Sequence, residues 1–171
     1  METLPAPDVF GNAIFCDDIR MEIGGKLTFV GCYINDMYVH SSFPVVLPKF
    51  CIAVNYWQRK NNLILPVVFW VFLPGDSEEK ASIEFGTTEQ VNEELIEQHR
   101  MKAIESGVEK PEFAIFSTQI SLANLTILHP GYMKVRVRRK DQLVRLGGLR
   151  IQSAPNQPPA TQEASLLALS P

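Results

Sequence analysis

The 171 residues are 46% hydrophobic and carry a net charge of −3, the size and apolar content of one domain that holds its core without a metal or a disulfide. Overall acidity argues against a general nucleic-acid binder, which is basic as a rule. The charge is nonetheless segregated: residues 129–150 hold seven Lys/Arg and one acid, leaving nine bases and eighteen acids elsewhere.

Residues 1–8 carry two prolines and read as a loose arm. The opening METLPAPDVF has neither the basic nor the apolar region of a secretory signal. The longest apolar stretch, Leu63–Leu73, is far short of the roughly 20 residues a spanning helix needs. The expectation is a cytoplasmic protein with no membrane span.

The body reads as strands. Ile14–Glu22 and Lys26–Ile34 flank Gly24-Gly25 and predict a β-hairpin. Met37–His40 is a short edge strand, and Pro44 and Pro48 bracket an irregular crossing. Phe50–Gln58 and Leu63–Leu73 are apolar at nearly every position, the pattern of strands buried on both faces or of one buried face beside an apolar exposed patch, and Gln58–Asn62 reads as the polar loop between them. Lys80–Phe85 follows as a short strand. Thr88 can cap a helix that carries a thin apolar stripe of Val91, Leu95, Met101 and Ile104 and stops at Gly107. Strand patterns return at Phe113–Ser121 and Leu125–Ile127. Met133–Arg138 and Leu143–Ile151 form a last hairpin with a kink at Gly147-Gly148. The proline-rich stretch 154–171 is expected to be a disordered tail. The predicted fold is therefore mainly β, a two-sheet antiparallel β-sandwich, Ig-like or C2-like, spanning residues 9–153 with one helical insertion near residues 88–106.

Phe15-Cys16-Asp17-Asp18-Ile19-Arg20, Glu22, Gly25-Lys26-Leu27, Val30-Gly31-Cys32-Tyr33 and Leu47-Pro48-Lys49-Phe50-Cys51 together resemble a family of small bacterial proteins classed as a domain of unknown function. The likeness covers residues 12–151 and is strongest over the first forty. It implies bacterial origin and a small, mostly β domain. It supplies no catalytic residue.

Metal and catalytic patterns are weak. His40, His99 and His129 have no metal-ligand spacing, and Asp36, Asp76 and Asp141 fit no calcium loop. Cys16, Cys32 and Cys51 are widely spaced and read as reduced thiols packed as small hydrophobes. No cofactor is expected. Adjacent strand residues face opposite ways, so Asp17 and Asp18 do not share a ligand. Asp18, Arg20 and Glu22 share a solvated face, whereas Asp17 sits with Phe15 and Ile19. A structural bond from Asp17 to Lys26 or to loop backbone is expected.

The most distinctive feature is the basic hairpin. Lys134, Arg136 and Arg138 alternate with valines, so the three cations share one face, joined from the partner strand by Arg145 and Arg150. A charged outer face of this kind either guards an edge or docks an acidic partner. Trp57 and Trp70 are core residues or, if exposed, anchors for a protein or sugar ligand. These patterns favour a non-enzymatic interaction module that binds a protein partner or a second copy of itself. A small-ligand or carbohydrate-binding module is the alternative, and an enzyme using Asp17, His129 or Cys51 is the third.

Overall fold

A computed structural model describes residues 7–86, 112–139 and 141–155. The chain is mainly β. Its strands are β1 (Val9–Cys16), β2 (Asp18–Met21), β3 (Leu27–Val30), β4 (Asp36–Val39), β5 (Val45–Arg59), β6 (Val68–Phe72), β7 (Ile83–Gly86), β8 (Phe113–Ile127), β9 (Gly131–Arg139) and β10 (Gln142–Ser153). They form a three-stranded sheet in the order β1-β5-β8, a five-stranded sheet in the order β4-β10-β9-β6-β7, and the β2-β3 hairpin. The helix expected near residues 88–106 lies outside the described residues, as does nearly all of the predicted tail. No described helix is long and apolar enough to cross a membrane.

Alternation decides which side chains meet in the core. From β5 come Phe50, Ile52, Val54 and Tyr56, and from β9 come Met133, Val135 and Val137, each no more than 1% exposed. They join Phe69 and Val71 of β6 and Leu149 and Ile151 of β10 in one apolar cluster fed by both larger sheets. The uninterrupted apolar run in β5 has the expected basis only in part. Its opposite face is closed only at the middle, at Cys51 and Ala53, 1% and 4% exposed, while Lys49 is exposed and Asn55 and Trp57 are half-buried.

Several boundaries differ from those expected. The first strand starts at Val9 and breaks at Asp17, after which β2 pairs with β3 across the Gly24-Gly25 turn. Both glycines have positive φ, 84° and 76°, a conformation that favours Gly. Leu63–Leu73 is not one strand, and only Val68–Phe72 is paired. Pro66 lacks the N–H that a central strand must donate. Upstream of it Lys60–Asn62 makes a single 3-10 turn. Gln58 is not in a loop but fully buried at the end of β5. The stretches Phe113–Ser121 and Leu125–Ile127 merge into the single strand β8. Finally, β4 is an edge strand, but it lies parallel to β10, whereas an all-antiparallel arrangement was expected. A parallel pair needs a long crossover, and here residues 40–141 supply it.

The junction of β4 and β10 carries an ion pair. Arg150 Nε donates to Asp36 Oδ1, which also accepts from Gln152 Nε2 at 3.2 Å. The Arg150 hydrogen bond holds the Asp36 carboxyl below its ordinary value of 3.8. A carboxylate depressed in the folded state stabilises above its unfolded pKa, and that contribution is lost as pH falls through the folded value. Arg150→Met is thus expected to flatten the loss of stability below about pH 4, while Asp18, held down by Lys49 and Arg20, and Glu78, held down by Lys134, keep theirs. Urea midpoints measured across the acid range test this. An acid limb parallel to that of the parent chain would rule it out.

Candidate binding surface

The outer face of the five-stranded sheet gathers Lys134, Arg136, Arg138, Arg145 and Arg150. Along β9 the valines point inward, so Lys134, Arg136 and Arg138 point out. The neighbouring strands set what each cation meets. Arg136 stands opposite Arg145 of β10 on one side and Trp70 of β6 on the other. Arg138 lies with its guanidinium carbon 5.2 Å from the centre of the Trp70 ring, within cation–π range. The Trp70 indole N–H donates to Glu84 Oε2 at 2.9 Å. Lys134 is paired with Glu78, which rides on the loop between β6 and β7.

The loop holding Glu78 is itself pinned. Asp76 Oδ2 accepts from the backbone N–H groups of Leu73 and Ser82, each at 2.8 Å, and Asp76 Oδ1 accepts from the Ser82 hydroxyl at 2.8 Å. Asp76 is therefore a turn residue with its lone pairs spoken for, which accounts for its place in the sequence without a metal.

A bulge interrupts the pairing just beyond Arg145. The pairing of β9 and β10 slips between Arg145 and Gly147, leaving Leu146 as the extra residue. Leu146 turns inward against β1, where Gly11 leaves room for it. A Cβ built on Gly11 would lie 2.6 Å from Leu146 Cδ2. On the outer face the same bulge leaves a shallow depression of about 370 Å³, lined by Tyr132, Lys134, Arg136, Arg145, Gly147 and Gly148.

The electrostatics of this depression are one-sided. Two like charges directly opposite on neighbouring strands repel, and among the described residues no carboxylate hydrogen-bonds to Arg136 or Arg145. Partial burial pushes the Arg136 guanidinium below its ordinary pKa, Arg145 pushes it the same way, and the nearby Glu78 opposes the shift. An anionic group placed between the two guanidiniums would relieve both the repulsion and the desolvation.

The remaining predicted residues separate from this surface. Arg150 shares the face, but Asp36 neutralises it at the far end of β10. Trp57 sits on the outer face of the other sheet, stacked on Phe10 at 5.2 Å with 7° between the planes. Phe113 packs edge-on against Phe10 at 5.3 Å, and Arg59 caps the Phe113 ring at 5.0 Å. The two tryptophans therefore line no common cleft.

Asp17 does not bond to Lys26 or to loop backbone. Its carboxylate accepts from the Tyr33 hydroxyl, which a bridge between Phe15 and Tyr33 brings alongside. Gly31 adopts a φ of 65° beneath that carboxylate, where any Cβ would collide with it. Burial first, and the Asp17 bond second, push the Tyr33 hydroxyl well above its ordinary pKa. Asp18 pairs with Lys49 and Arg20.

His129 has its ring carbon Cδ2 near Gly75, and Cys51 Sγ donates to Ser121 Oγ at 3.6 Å. Asp17, His129 and Cys51 are not brought together by any hydrogen bond among the described residues. Nor does any described group of three or more His, Cys, Asp or Glu have the placement to hold a metal ion.

Two contributors to the surface escaped the sequence reading. Tyr132, 55% exposed, continues the alternation Lys134, Arg136, Arg138 one step earlier and was legible there. Glu78 was not, because a loop far away in sequence delivers it. Compared with protein-family models, curated proteins and solved structures, the chain matches none.

Proposed function

We propose that this chain is a non-enzymatic β-sandwich module that docks an acidic protein partner on the outer face of its five-stranded sheet. The observation that carries the reading is the pair of Arg136 and Arg145 facing each other across β9 and β10 with no carboxylate hydrogen-bonded to either among the described residues, Glu78 acting on them only at longer range. Like charges in register lower stability, and a fold keeps such a conflict where a ligand resolves it. The sandwich description rests on the core cluster, to which both larger sheets contribute. The resemblance of residues 12–151 to a bacterial family extends the proposal to a bacterial protein, and the sequence patterns extend it to a cytoplasmic one that works without a cofactor.

The variant Arg145→Glu separates docking from folding. It turns a repulsive cross-strand pair into an attractive one, so it is expected to raise stability by up to about 1 kcal/mol. It is expected to weaken binding at least tenfold and to flatten its salt dependence. The tagged chain is used to recover a partner from its host, light scattering tests whether that partner is a second copy, and affinity is then measured against salt for both forms. Equal affinity of the two forms would sink the proposal, and so would a parent chain that stays monomeric and retains nothing.

A small-ligand or carbohydrate module is a second reading with one observation behind it. Tyr132 stands half-exposed on the rim of the depression, opposite Arg150. Saturation-transfer NMR with anionic and neutral sugars tests it directly.

A further inference from the structure

The three cysteines, scattered in sequence, fall into one row across the sheet. Cys16 of β1 is in register with Cys51 of β5, and Cys51 with Ser121 of β8. On the other side of β1, Phe15 bridges Tyr33, with the Tyr33 N–H donating to the Phe15 carbonyl at 2.8 Å. Counting one residue on along β1 and one back from Tyr33 sets Cys32 against Cys16. The row thus runs Cys32, Cys16, Cys51, Ser121, perpendicular to the strands. Residues directly opposite in an antiparallel pair have Cα atoms about 4.5–5.5 Å apart, inside the range of about 4.4–6.8 Å that a disulfide spans.

Accessibility is graded along the row. Cys32 is exposed, while Cys16 and Cys51 are buried. We propose that Cys32, Cys16 and Cys51 form a thiol-exchange site that is oxidised by a low-molecular-weight disulfide, reacting first at Cys32 and closing on Cys16. This site lies on the other sheet from the basic face and does not depend on the docking proposal.

The chemistry balances without a further reagent. The Cys32 sulfur attacks one sulfur of the small disulfide and expels one small thiol, leaving a mixed disulfide on Cys32. The Cys16 sulfur then attacks the Cys32 sulfur and expels the second small thiol. Two protein thiols are oxidised to one disulfide, one small disulfide is reduced to two thiols, and the two protein thiol protons leave with them. Cys51, in register on the far side, can take over by attacking the Cys16 sulfur and releasing Cys32 as a thiol.

The closing step has its own signature. Cys16 is pushed up to about 11, first by burial, then by Cys32, Cys51 and Asp17, with a backbone hydrogen bond at Asp18 opposing. Lys49 and Tyr33 are the other titratable groups within electrostatic reach of the row. The thiolate is the attacking species, so closure speeds up about tenfold per pH unit and is still accelerating above about pH 9, where an ordinary thiol is mostly ionised.

The test treats the reduced full-length chain with glutathione disulfide at several pH values, blocks the remaining thiols by alkylation, and maps peptides without reduction. The expected product is an intramolecular disulfide containing Cys16, with no glutathione retained and closure still accelerating in the alkaline range. Cys32→Ser changes an exposed position and is expected to leave Cys16 and Cys51 reduced under the same treatment. Stable glutathione on Cys32 beside alkylated Cys16 and Cys51 would overturn the proposal. So would a chain dimer linked through Cys32, no reaction at all, or equal oxidation of the Cys32→Ser variant.

Discussion

Gly11→Val should cost about 3 kcal/mol or more, the upper end of what overpacking does to a close-packed core. A Cβ at Gly11 would lie 2.5 Å from the backbone oxygen of Asn55 and 2.6 Å from Leu146 Cδ2. The first neighbour belongs to the β1–β5 ladder, where Gly11 faces Tyr56 and Asn12 faces Asn55. It cannot retreat without breaking that ladder. The second is the side-chain end of the extra residue of the β10 bulge, buried against β1 and with little room to turn aside. Gly24→Ala is the natural comparison, because a Cβ there meets nothing within 4 Å and the only cost is its φ of 84°, about 1 kcal/mol. Urea denaturation orders the two. A Gly11→Val midpoint close to that of Gly24→Ala would show that the notch is softer than its geometry implies.

A loss of about 2–4 kcal/mol is expected for Gln58→Leu. Gln58 is fully buried and accepts from the Ile64 N–H at 3.1 Å while donating to the Ile64 carbonyl at 3.0 Å. It exchanges with Ile64 the same pair of bonds that a neighbouring strand would, at the place where Pro66 prevents one from forming. Leucine keeps the volume but leaves both backbone groups unanswered. Gln58→Glu sharpens the point. A carboxylate there accepts from the N–H but faces the carbonyl with no proton, so its folded pKa rises above its unfolded one. Stability is then greatest below the unfolded pKa and falls as pH rises through the folded value. The expected profile is a glutamate variant nearly as stable as the parent in mild acid and clearly weaker at neutral pH. Identical profiles for the leucine and glutamate variants would show that the carbonyl bond contributes nothing.

The parts of this fold that were legible in the sequence are those set by alternation within one strand. Lys134-Val135-Arg136-Val137-Arg138 announces its two faces, and the continuous apolar run of β5 announces burial on both sides at its middle. The Gly24-Gly25 hairpin was legible because its turn chemistry is local. Features set by pairing between distant segments were not. The partner of Asp17 is Tyr33 rather than Lys26, because the bridge at Phe15 decides what stands beside it. The irregularity expected at Gly147-Gly148 sits one residue earlier, at Leu146, where β1 receives the side chain. The alignment of Cys16 with Cys51 depends on where β1 begins, five residues before its predicted start. Sequence spacing carries no record of such registers.

The parallel seating of β4 on β10 governs when this protein becomes whole as it leaves the ribosome. Asp36 and Arg150 are 114 positions apart, so the five-stranded sheet stays open until nearly all of the chain has emerged. Until then β5 has already been synthesised with much of its inner face uncovered, because β9 and β10, the central strands of the opposing sheet, arrive last even though β6 follows β5 directly. Synthesis at about 5–20 residues per second leaves that surface waiting for several seconds. The nascent chain therefore has a window in which a holding chaperone is useful, and a messenger truncated before residue 150 yields a product for degradation rather than a shortened working domain.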